Sequence, residues 1–275
     1  MTSSVEDTAL KLAAVMGREA LSLARRMPHS MDAKADAFDL VTSVDREIES
    51  NLRRRIGERF PDHAILGEEQ GLDGRAGEWT WVLDPIDGTL NFATGLPIAA
   101  CSIALLQGER IRVAAVADLA TDTVFSARAG SGIQSDRGPI AVKQGVDDPG
   151  RARLFLDHSP EAPAPELLEA LWALAEVAPV VPRMIGSAAV ALLAVSIGGG
   201  SFAGVGLRLW DVAAGILLAE ECGRTVRRWH GDGAHVMHVL AGDESSVDRL
   251  EPAMLHLIDC WRTLEAPRLR VAPGP

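Results

Sequence analysis

The chain has 275 residues, 47% of them hydrophobic and 24% charged, which is enough to build one large domain or two fused smaller ones. Its net charge of −11 excludes the basic surface of a nucleic-acid-binding protein, so no nucleic acid partner is expected. An acidic protein that handles anionic phosphate must carry local positive charge, which a bound divalent metal ion supplies.

The cysteines and the N-terminus indicate the compartment. Cys101, Cys222 and Cys260 are widely spaced and form no CxxC pair, which argues against a disulfide framework and favours a reducing, cytoplasmic location. The first residues lack a basic start followed by an apolar run, so no signal peptide is predicted. No run of about 18 apolar residues occurs, so no membrane contact is expected.

The sequence pattern of the first part of the chain predicts two helices and two strands. Apolar residues at helical spacing predict an amphipathic helix over 4–27, and a second helix begins at Thr42 or Ser43, where Thr42-Ser-Val-Asp45 resembles a capping box. The β-rich sequences predict a short buried strand over 63–67 and a strand over 79–83 that ends at Asp84-Pro85, where proline turns the chain.

The rest of the chain predicts further strands and three helices. Residues 98–125 contain several strands with turns at 108–109 and 121–122, and a polar joint follows at 128–151. One more strand is predicted at 153–156, and helices are predicted over 166–177, 187–197 and 211–222. The pattern indicates a layered α/β (α+β) fold with an N-terminal half at 1–138, a C-terminal half at 139–265 and a disordered tail at 266–275.

Three segments place acidic side chains where ligand crevices form in layered α/β folds, at strand ends and helix starts. They are Gly67-Glu68-Glu69, Asp84-Pro-Ile-Asp87-Gly88-Thr89 and Trp210-Asp211. Two carboxylates three residues apart at a turn can converge on one point. Because glycine permits close approach of a ligand and a helix start favours an anion, the 84–89 segment predicts a cation site beside a phosphate site.

The acidic side chains favour a hard cation. Mg²⁺ takes oxygen ligands and completes its shell with water and substrate phosphate. Two such ions can hold the attacking and leaving oxygens of an in-line displacement. Glu68, Asp84, Asp87 and Asp211 carry enough negative charge to hold two ions.

These motifs resemble those of the inositol monophosphatase family. The resemblance rests on the 84–89 run after an apolar strand, on Trp210-Asp211-Val-Ala-Ala-Gly215, on Gly67-Glu68-Glu69 and on the segment from Asp39 to Asp45. The motifs stand in the family's order and the likeness covers roughly residues 5–260. It implies an αβαβα sandwich, a homodimer and a Mg²⁺-dependent phosphomonoesterase that directs metal-activated water at a small phosphorylated metabolite.

The resemblance also implies the metal ligands of a site with two or three ions. Glu68, Asp84 and the backbone carbonyl of Ile86 would hold the first ion. Asp84, Asp87 and Asp211 would hold the second. A third, weaker ion would involve Glu68, which thereby counts among the catalytic residues.

The remaining roles follow from the same resemblance. Thr89, paired with Asp45, would orient or activate the attacking water, and the backbone amides of Gly88 and Thr89 would bind the phosphate. The substrate alcohol would be contacted by a larger set of residues: Asp87, Gly186, Ser187, Ala188 and Arg208. Lys34 matches a lysine on an active-site loop of the family.

Several candidate residues also have a plainer, purely structural interpretation. Asp45 could only satisfy backbone N–H groups as part of a capping box, and Asp211 could be only a helix N-cap. Glu69 could position metal-bound water or simply be solvated. His235 and His238 lack cysteine or acidic partners at metal-binding spacing, so surface or core histidines are expected.

One departure from the family bears on the substrate. Relatives that act on inositol phosphate often carry an acidic residue seven positions before the aspartate that stands here as Asp211, and that position is Gly204. Arg208 could read an extra anionic group or be solvated. Inositol, sugar and histidinol phosphates are the candidate substrates, and nucleoside 3′-phosphates or bisphosphates are the alternative substrates. A different functional hypothesis is that the chain is a regulatory binding protein on the same fold.

Overall fold

A computed structural model describes residues 4–26, 31–33, 40–74, 77–143, 152–158, 169, 171–174 and 180–265. The helices are α1 (Val5–Arg26), α2 (Ser43–Arg59), α3 (Thr89–Ala93), α4 (Ala188–Gly198), α5 (Leu209–Glu221) and α6 (Glu244–Glu265), and residues 169 and 171–174 are also helical. The strands are β1 (Met31–Ala33), β2 (Leu40–Thr42), β3 (Ala64–Gly67), β4 (Gly71–Asp73), β5 (Trp79–Asp87), β6 (Ala100–Gln107), β7 (Arg110–Asp118), β8 (Thr123–Arg128), β9 (Ile133–Ser135), β10 (Ala152–His158), β11 (Val180–Arg183), β12 (Ser201–Arg208), β13 (Thr225–His230) and β14 (Val236–Gly242).

The strands form two large sheets and one small one. A seven-stranded sheet has the order β4-β3-β5-β6-β7-β8-β9, and only its β3–β5 pair is parallel. A five-stranded sheet has the order β11-β10-β12-β14-β13, in which β10 runs parallel to both β11 and β12. Strands β1 and β2 form a separate antiparallel pair.

Three apolar clusters show how the layers stack. One cluster joins α1 and α2 to the outer face of the seven-stranded sheet, with Ala13, Ile48 and Trp81 among its members. The second fills the space between the two sheets around α4 and α5, and the third joins the five-stranded sheet to α6 and residues 171 and 174. The order helix, sheet, helix, sheet, helix confirms the expected αβαβα sandwich.

The predicted helices agree well with the structure. Helix α1 has acidic residues in its first turn and Arg25 and Arg26 in its last, an arrangement that complements the helix dipole. Helix α2 begins at Ser43 as expected. Gly223, just after α5, has φ 76°, the left-handed conformation that glycine commonly adopts at the end of a helix. Of the helix predicted over 166–177, only residues 169 and 171–174 are described, and the tail 266–275 lies outside the described residues. The division into two halves stays a prediction.

Two predicted boundaries were wrong. Strand β5 continues through Pro85 to Asp87, where a turn was expected, because a β-bulge absorbs the proline. Helix α5 begins at Leu209, so Asp211 lies at its third position and not at its start. Within the described residues, no helix combines the length and apolar character needed to cross a membrane.

His238 on β14 is fully buried. Its Nδ1 accepts a hydrogen bond from the Gly206 backbone N–H at 3.1 Å, which assigns the ring proton to Nε2. Nε2 is buried and has no hydrogen-bond partner among the described residues. Burial above all, together with the positive charge of Arg262, lowers the pKa of His238 to about 4.

We expect His238 to make the fold sensitive to acid. The folded pKa lies below the ordinary value of 6.5, so protons bind the unfolded chain more readily, and stability falls as pH drops from about 6.5 to about 4. Urea unfolding at pH 7 and pH 4.5 should show that the loss in His238→Gln is smaller than in the wild type, by about 3 kcal/mol at most. The exposed His230→Gln is the control, and equal losses in all three proteins would contradict the assignment.

Candidate active site

A β-bulge in β5 brings Asp84 and Asp87 to the same face of the sheet. Residues three apart in a regular strand point to opposite faces. Here Asp84 pairs with Ser102 and Asp87 with Ala100, so β5 contains one residue more than β6 between these pairs. Because that extra residue shifts the alternation, both carboxylates turn toward the layer between the sheets.

The core confirms this shift of face. Val82 belongs to the cluster between the sheets, so Asp84, two residues later, faces the same way. Ile86 would also face that way in a regular strand, but it lies in the cluster beneath α1 and α2. The next residue, Asp87, therefore returns to the side of Asp84.

Glu68 reaches the same place from the neighbouring strand. Strand β3 runs parallel to β5 with Gly67 paired to Leu83, and the Glu68 N–H donates to the Leu83 carbonyl at 3.1 Å. Glu68 therefore lies beside Asp84 at the carboxyl ends of two parallel strands. Of the neighbouring charges, that of Glu68 has the largest effect on the pKa of Asp84.

Asp211 completes the group from α5, a helix of the layer between the two sheets. It sits in the first turn of α5, where its Oδ2 accepts the Arg208 backbone N–H at 2.7 Å. The hydroxyl of Ser102 on β6 donates to the Trp210 carbonyl at 2.9 Å and so fixes this helix against the seven-stranded sheet. Asp211 is therefore not the N-cap that the plainer interpretation expected, since Arg208 holds that position; it accepts the N-cap N–H from the third helical position and also lies in the acidic group.

The three aspartates form a compact acidic group. Carboxylate oxygens of Asp84, Asp87 and Asp211 lie within 4.8 Å of one another. Burial, above all, raises the pKa of Asp84 and Asp211 well above its ordinary value, and the neighbouring carboxylates, including Glu68, raise it further. Burial also raises the pKa of Asp87, to about 6.

The donor set fits a hard divalent cation. The Oδ1 atom of Asp84 is buried without a hydrogen-bond partner among the described residues, although buried carboxylate oxygens normally have one. Asp84, Asp87 and Asp211 converge here with the charge of Glu68 nearby, and among the described residues no histidine or cysteine joins the three-aspartate group. An all-oxygen site of this kind suits Mg²⁺ better than a softer metal.

Asp87 is held by the start of α4. Its Oδ2 accepts the Ser187 hydroxyl and the Ala189 backbone N–H, both at 2.6 Å. These hydrogen bonds lower the pKa of Asp87 and partly offset the effect of burial. Ser187, expected to contact the substrate, thus also caps α4, where its side chain accepts the Val190 N–H, and orients a carboxylate of the acidic group.

Gly88 occupies a tight space in which only glycine fits. Its φ of 93° is in the left-handed region, and an added Cβ would lie 2.8 Å from the Ile98 carbonyl oxygen and 3.1 Å from that of Gly186. The next residue, Thr89, donates its hydroxyl to the Ile86 carbonyl at 2.9 Å. The carbonyl predicted to hold a metal and the hydroxyl predicted to orient water are therefore direct neighbours.

Asn91 on α3 joins this segment to the start of α4. Its Nδ2 lies 2.9 Å from the carbonyl oxygen of Ile98, 2.7 Å from that of Ile185 and 3.3 Å from that of Gly186. The predicted substrate segment 186–188 is thereby held close to Gly88. No sequence motif pointed to Asn91, because its role depends on which loop packs against the short helix.

Glu49 on α2 fixes the loop that carries Glu68. This buried carboxylate accepts the backbone N–H of Glu69 at 2.8 Å and of Gln70 at 3.1 Å, and it pairs with Arg53 at 2.8 Å. A Cβ at Gly67 would lie 2.3 Å from Glu49 Oε1, which explains the glycine before the two glutamates. Sequence reasoning missed Glu49.

Asp45 lies one helical turn before Glu49 and is buried. Both carboxylates lie close enough to Cys101 to raise the pKa of its thiol, although burial has the larger effect. Cys101 is therefore a buried thiol that stays protonated. The pairing of Asp45 with Thr89 stays a prediction, and Lys34 lies outside the described residues.

A further carboxylate, Asp157, lies near the group and was missed. Asp157 follows the buried residues Leu154, Phe155 and Leu156 of β10, much as Asp84 follows Val82 and Leu83. Burial above all, together with the charge of Asp87, raises its pKa to about 7. An apolar strand that ends in aspartate was the signal that could have identified it.

Comparisons with known proteins identify the family of this chain. A model of the inositol monophosphatase family matches residues 1–258. Inositol-1-monophosphatase SuhB of Mycobacterium tuberculosis is 39% identical over 242 residues, covering 82% of this chain and 83% of the relative, and a protein named Nus factor SuhB from Vibrio cholerae is 37% identical over 200 residues, covering 70% and 73%.

The solved structures give the same result. The structure of Mycobacterium tuberculosis SuhB superposes with a TM-score of 0.75 at 33% identity and covers 93% of this chain and 98% of that one. The structure of an inositol monophosphatase from Anabaena has a TM-score of 0.74 at 28% identity and covers 90% and 96%. The chain therefore belongs to the inositol monophosphatase family, whose members are hydrolases of phosphoric monoesters.

Proposed function

We propose that this chain is a Mg²⁺-dependent phosphomonoesterase that hydrolyses a small phosphorylated alcohol of the inositol, sugar or histidinol phosphate type. The observation that carries the proposal is the convergence, within 4.8 Å, of the buried Asp84 and Asp87 with the half-buried Asp211. Such a group is strongly unfavourable unless protons or cations neutralise it. Mg²⁺, in two or three ions, would activate water and offset the charge on the phosphoryl oxygens.

The predicted ligands divide into two overlapping sets. Glu68, Asp84 and the Ile86 carbonyl would form one set, and Asp84, Asp87 and Asp211 the other. Asp84 belongs to both, which suits its place in the middle of the group, where the charges of Glu68, Asp87 and Asp211 all raise its pKa. The predicted third ion would add a further contact to Glu68.

The neighbouring residues would position the substrate. The backbone amides of Gly88 and Thr89 would hold the phosphate next to the carboxylates. The Thr89 hydroxyl, with Asp45, would orient the attacking water. Gly186, Ser187 and Ala188 would contact the alcohol.

A regulatory role on the same fold is the second candidate. It is favoured by the similarity to the Vibrio cholerae protein named Nus factor SuhB. Nucleoside 3′-phosphates or bisphosphates remain the alternative substrates, with Arg208 as the candidate contact to an additional anionic group. A homodimer in the cytoplasm is the form in which we expect the enzyme to work.

Asp84→Asn tests the proposed function directly. We expect its Mg²⁺-dependent hydrolysis of phenyl phosphate and myo-inositol 1-phosphate to fall more than about a hundredfold. Loss of a residue that only supports a metal ligand typically costs up to about a hundredfold, whereas Asp84 is shared by both ligand sets. Asp211→Asn should behave similarly. Asp259→Asn, on the exposed face of α6, is the control. Undiminished turnover in folded Asp84→Asn protein would refute the proposal.

Removal of metal should make stability depend on pH in a defined direction. Because the pKa values of the acidic group are raised, its carboxylates keep their protons to a higher pH in the metal-free folded state than in the unfolded chain. The stability of the metal-free protein therefore falls as pH rises through the value of about 6 for Asp87. Mg²⁺ replaces those protons, so the rise in Tm on adding Mg²⁺ should grow between pH 5 and pH 8. Asp84→Asn should show a smaller rise. A Tm increment that is independent of pH would contradict this expectation.

Glu49→Ala should weaken Mg²⁺ binding without removing any metal ligand. The substitution leaves the backbone N–H groups of Glu69 and Gln70 without their acceptor, so the loop that carries Glu68 becomes less well fixed. We expect Kd for Mg²⁺, measured by calorimetry, to rise about tenfold. Glu58→Ala, which removes an exposed pair with Arg54 on the same helix, is the control. Equal Mg²⁺ affinity in the two variants would rule out the positioning role.

A further inference from the structure

Asp157 lies near the carboxyl end of β10, in the five-stranded sheet, and its side chain is on the side of the acidic group. Leu154 and Leu156 on β10 pack toward α6, whereas Phe155 belongs to the cluster between the sheets. By strand alternation Asp157 faces the same side as Phe155. It stands near the carboxyl end of β10, which runs parallel to β12, and ligands bind at such strand ends in open α/β sheets.

Asp157 is close to the acidic group but is not part of it. Its charge raises the pKa of Asp211, and the charge of Asp87 raises that of Asp157. Asp157 is nevertheless absent from the set of carboxylates whose oxygens lie within 4.8 Å of one another. It is therefore placed to contact what binds beside the metal site, and not to share a cation with all three aspartates.

One oxygen of Asp157 is engaged by the protein. Its Oδ1 accepts the His158 backbone N–H at 2.9 Å, and this is its one hydrogen bond with the described residues. The second oxygen can accept further hydrogen bonds. A carboxylate in a desolvated position is stabilised by such donors, and a ligand in the cleft can provide them.

The neighbouring position on β12 cannot supply an acidic side chain. Gly204 pairs with Asp157 across the two parallel strands and faces the same way. A Cβ at Gly204 would lie 2.5 Å from Leu207 Cδ1 and 2.7 Å from Phe202 Cζ, so apolar side chains already fill that space. At this place on the sheet the carboxylate comes from β10 and not from β12.

We propose that Asp157 binds a hydrogen-bond donor, a hydroxyl or an ammonium group, on the alcohol portion of the substrate. The proposal rests on the proposed phosphomonoesterase function and narrows its substrate to phosphates of polyols or amino alcohols. A phosphate ester without such a donor should gain nothing from Asp157. The residue therefore determines specificity and does not act on the phosphorus.

Asp157→Ala and Asp157→Asn test the assignment with three phosphates and saturating Mg²⁺. The three are myo-inositol 1-phosphate, which offers hydroxyls, histidinol phosphate, which offers an ammonium group, and phenyl phosphate, which offers neither. For Asp157→Ala we expect kcat/KM for the preferred donor-bearing substrate to fall at least tenfold relative to phenyl phosphate. Asp157→Asn should retain most hydroxyl recognition but lose ammonium recognition, because it keeps an acceptor and removes the charge.

The outcomes separate this proposal from its alternatives. Asp259→Asn is the control variant and should leave the substrate ratios unchanged. An equal loss for all three phosphates with a higher Mg²⁺ requirement would make Asp157 a metal ligand, and unchanged ratios in both Asp157 variants would make it structural; either result overturns the proposal. Thermal unfolding of each variant checks folding, and the isosteric Asp157→Asn remains informative if the alanine variant does not fold.

Binding provides a readout that does not depend on turnover. Calorimetry with the same three phosphates and Ca²⁺ should show a loss of affinity in Asp157→Ala that is confined to the donor-bearing ligands. This result without any hydrolysis by the wild type would refute the proposed hydrolase and support the role of Asp157. Equal affinity of the wild type and Asp157→Ala for every phosphate would overturn the role of Asp157, even in an active enzyme.

Discussion

The mutual repulsion of buried carboxylates is the constraint on which the rest of the structure depends. At 4.8 Å, two unit charges in a medium of effective dielectric about 20 repel each other by about 3 kcal/mol. Asp84, Asp87 and Asp211 are held together against this repulsion by the β-bulge in β5, the start of α4 and the first turn of α5. The raised pKa values show that the group favours neutralisation, by protons or by cations.

The same contacts that build the site also join the two sheets. Asp87 on the seven-stranded sheet is bonded to Ser187 at the start of α4, and Ser102 on β6 is bonded to the carbonyl of Trp210 beside Asp211. Helices α4 and α5 pack closely, since a Cβ at Gly215 would lie 2.6 Å from Leu192 Cβ. The acidic group therefore stays assembled only while the layer between the sheets is packed.

The sequence allowed the chemistry and the fold class to be predicted, but not the geometry that unites them. Apolar strands that end in Glu68 and Asp84 marked the edge of a sheet, and the family motifs added Asp211. The turn predicted at Pro85 was wrong, because an extra residue in one strand is visible only in the register with β6. Glu49 and Asp157 were missed because their positions depend on helix packing and on strand order, which local patterns do not encode.

The occupancy of the acidic group is the most direct test of the account. A crystal of the protein soaked in Mn²⁺, a scattering substitute for Mg²⁺, should show anomalous peaks between Glu68, Asp84, Asp87 and Asp211, with ligand distances of about 2.0–2.3 Å. Soaking with inorganic phosphate should add density beside Gly88. An acidic group without anomalous density at saturating Mn²⁺ would contradict the central claim.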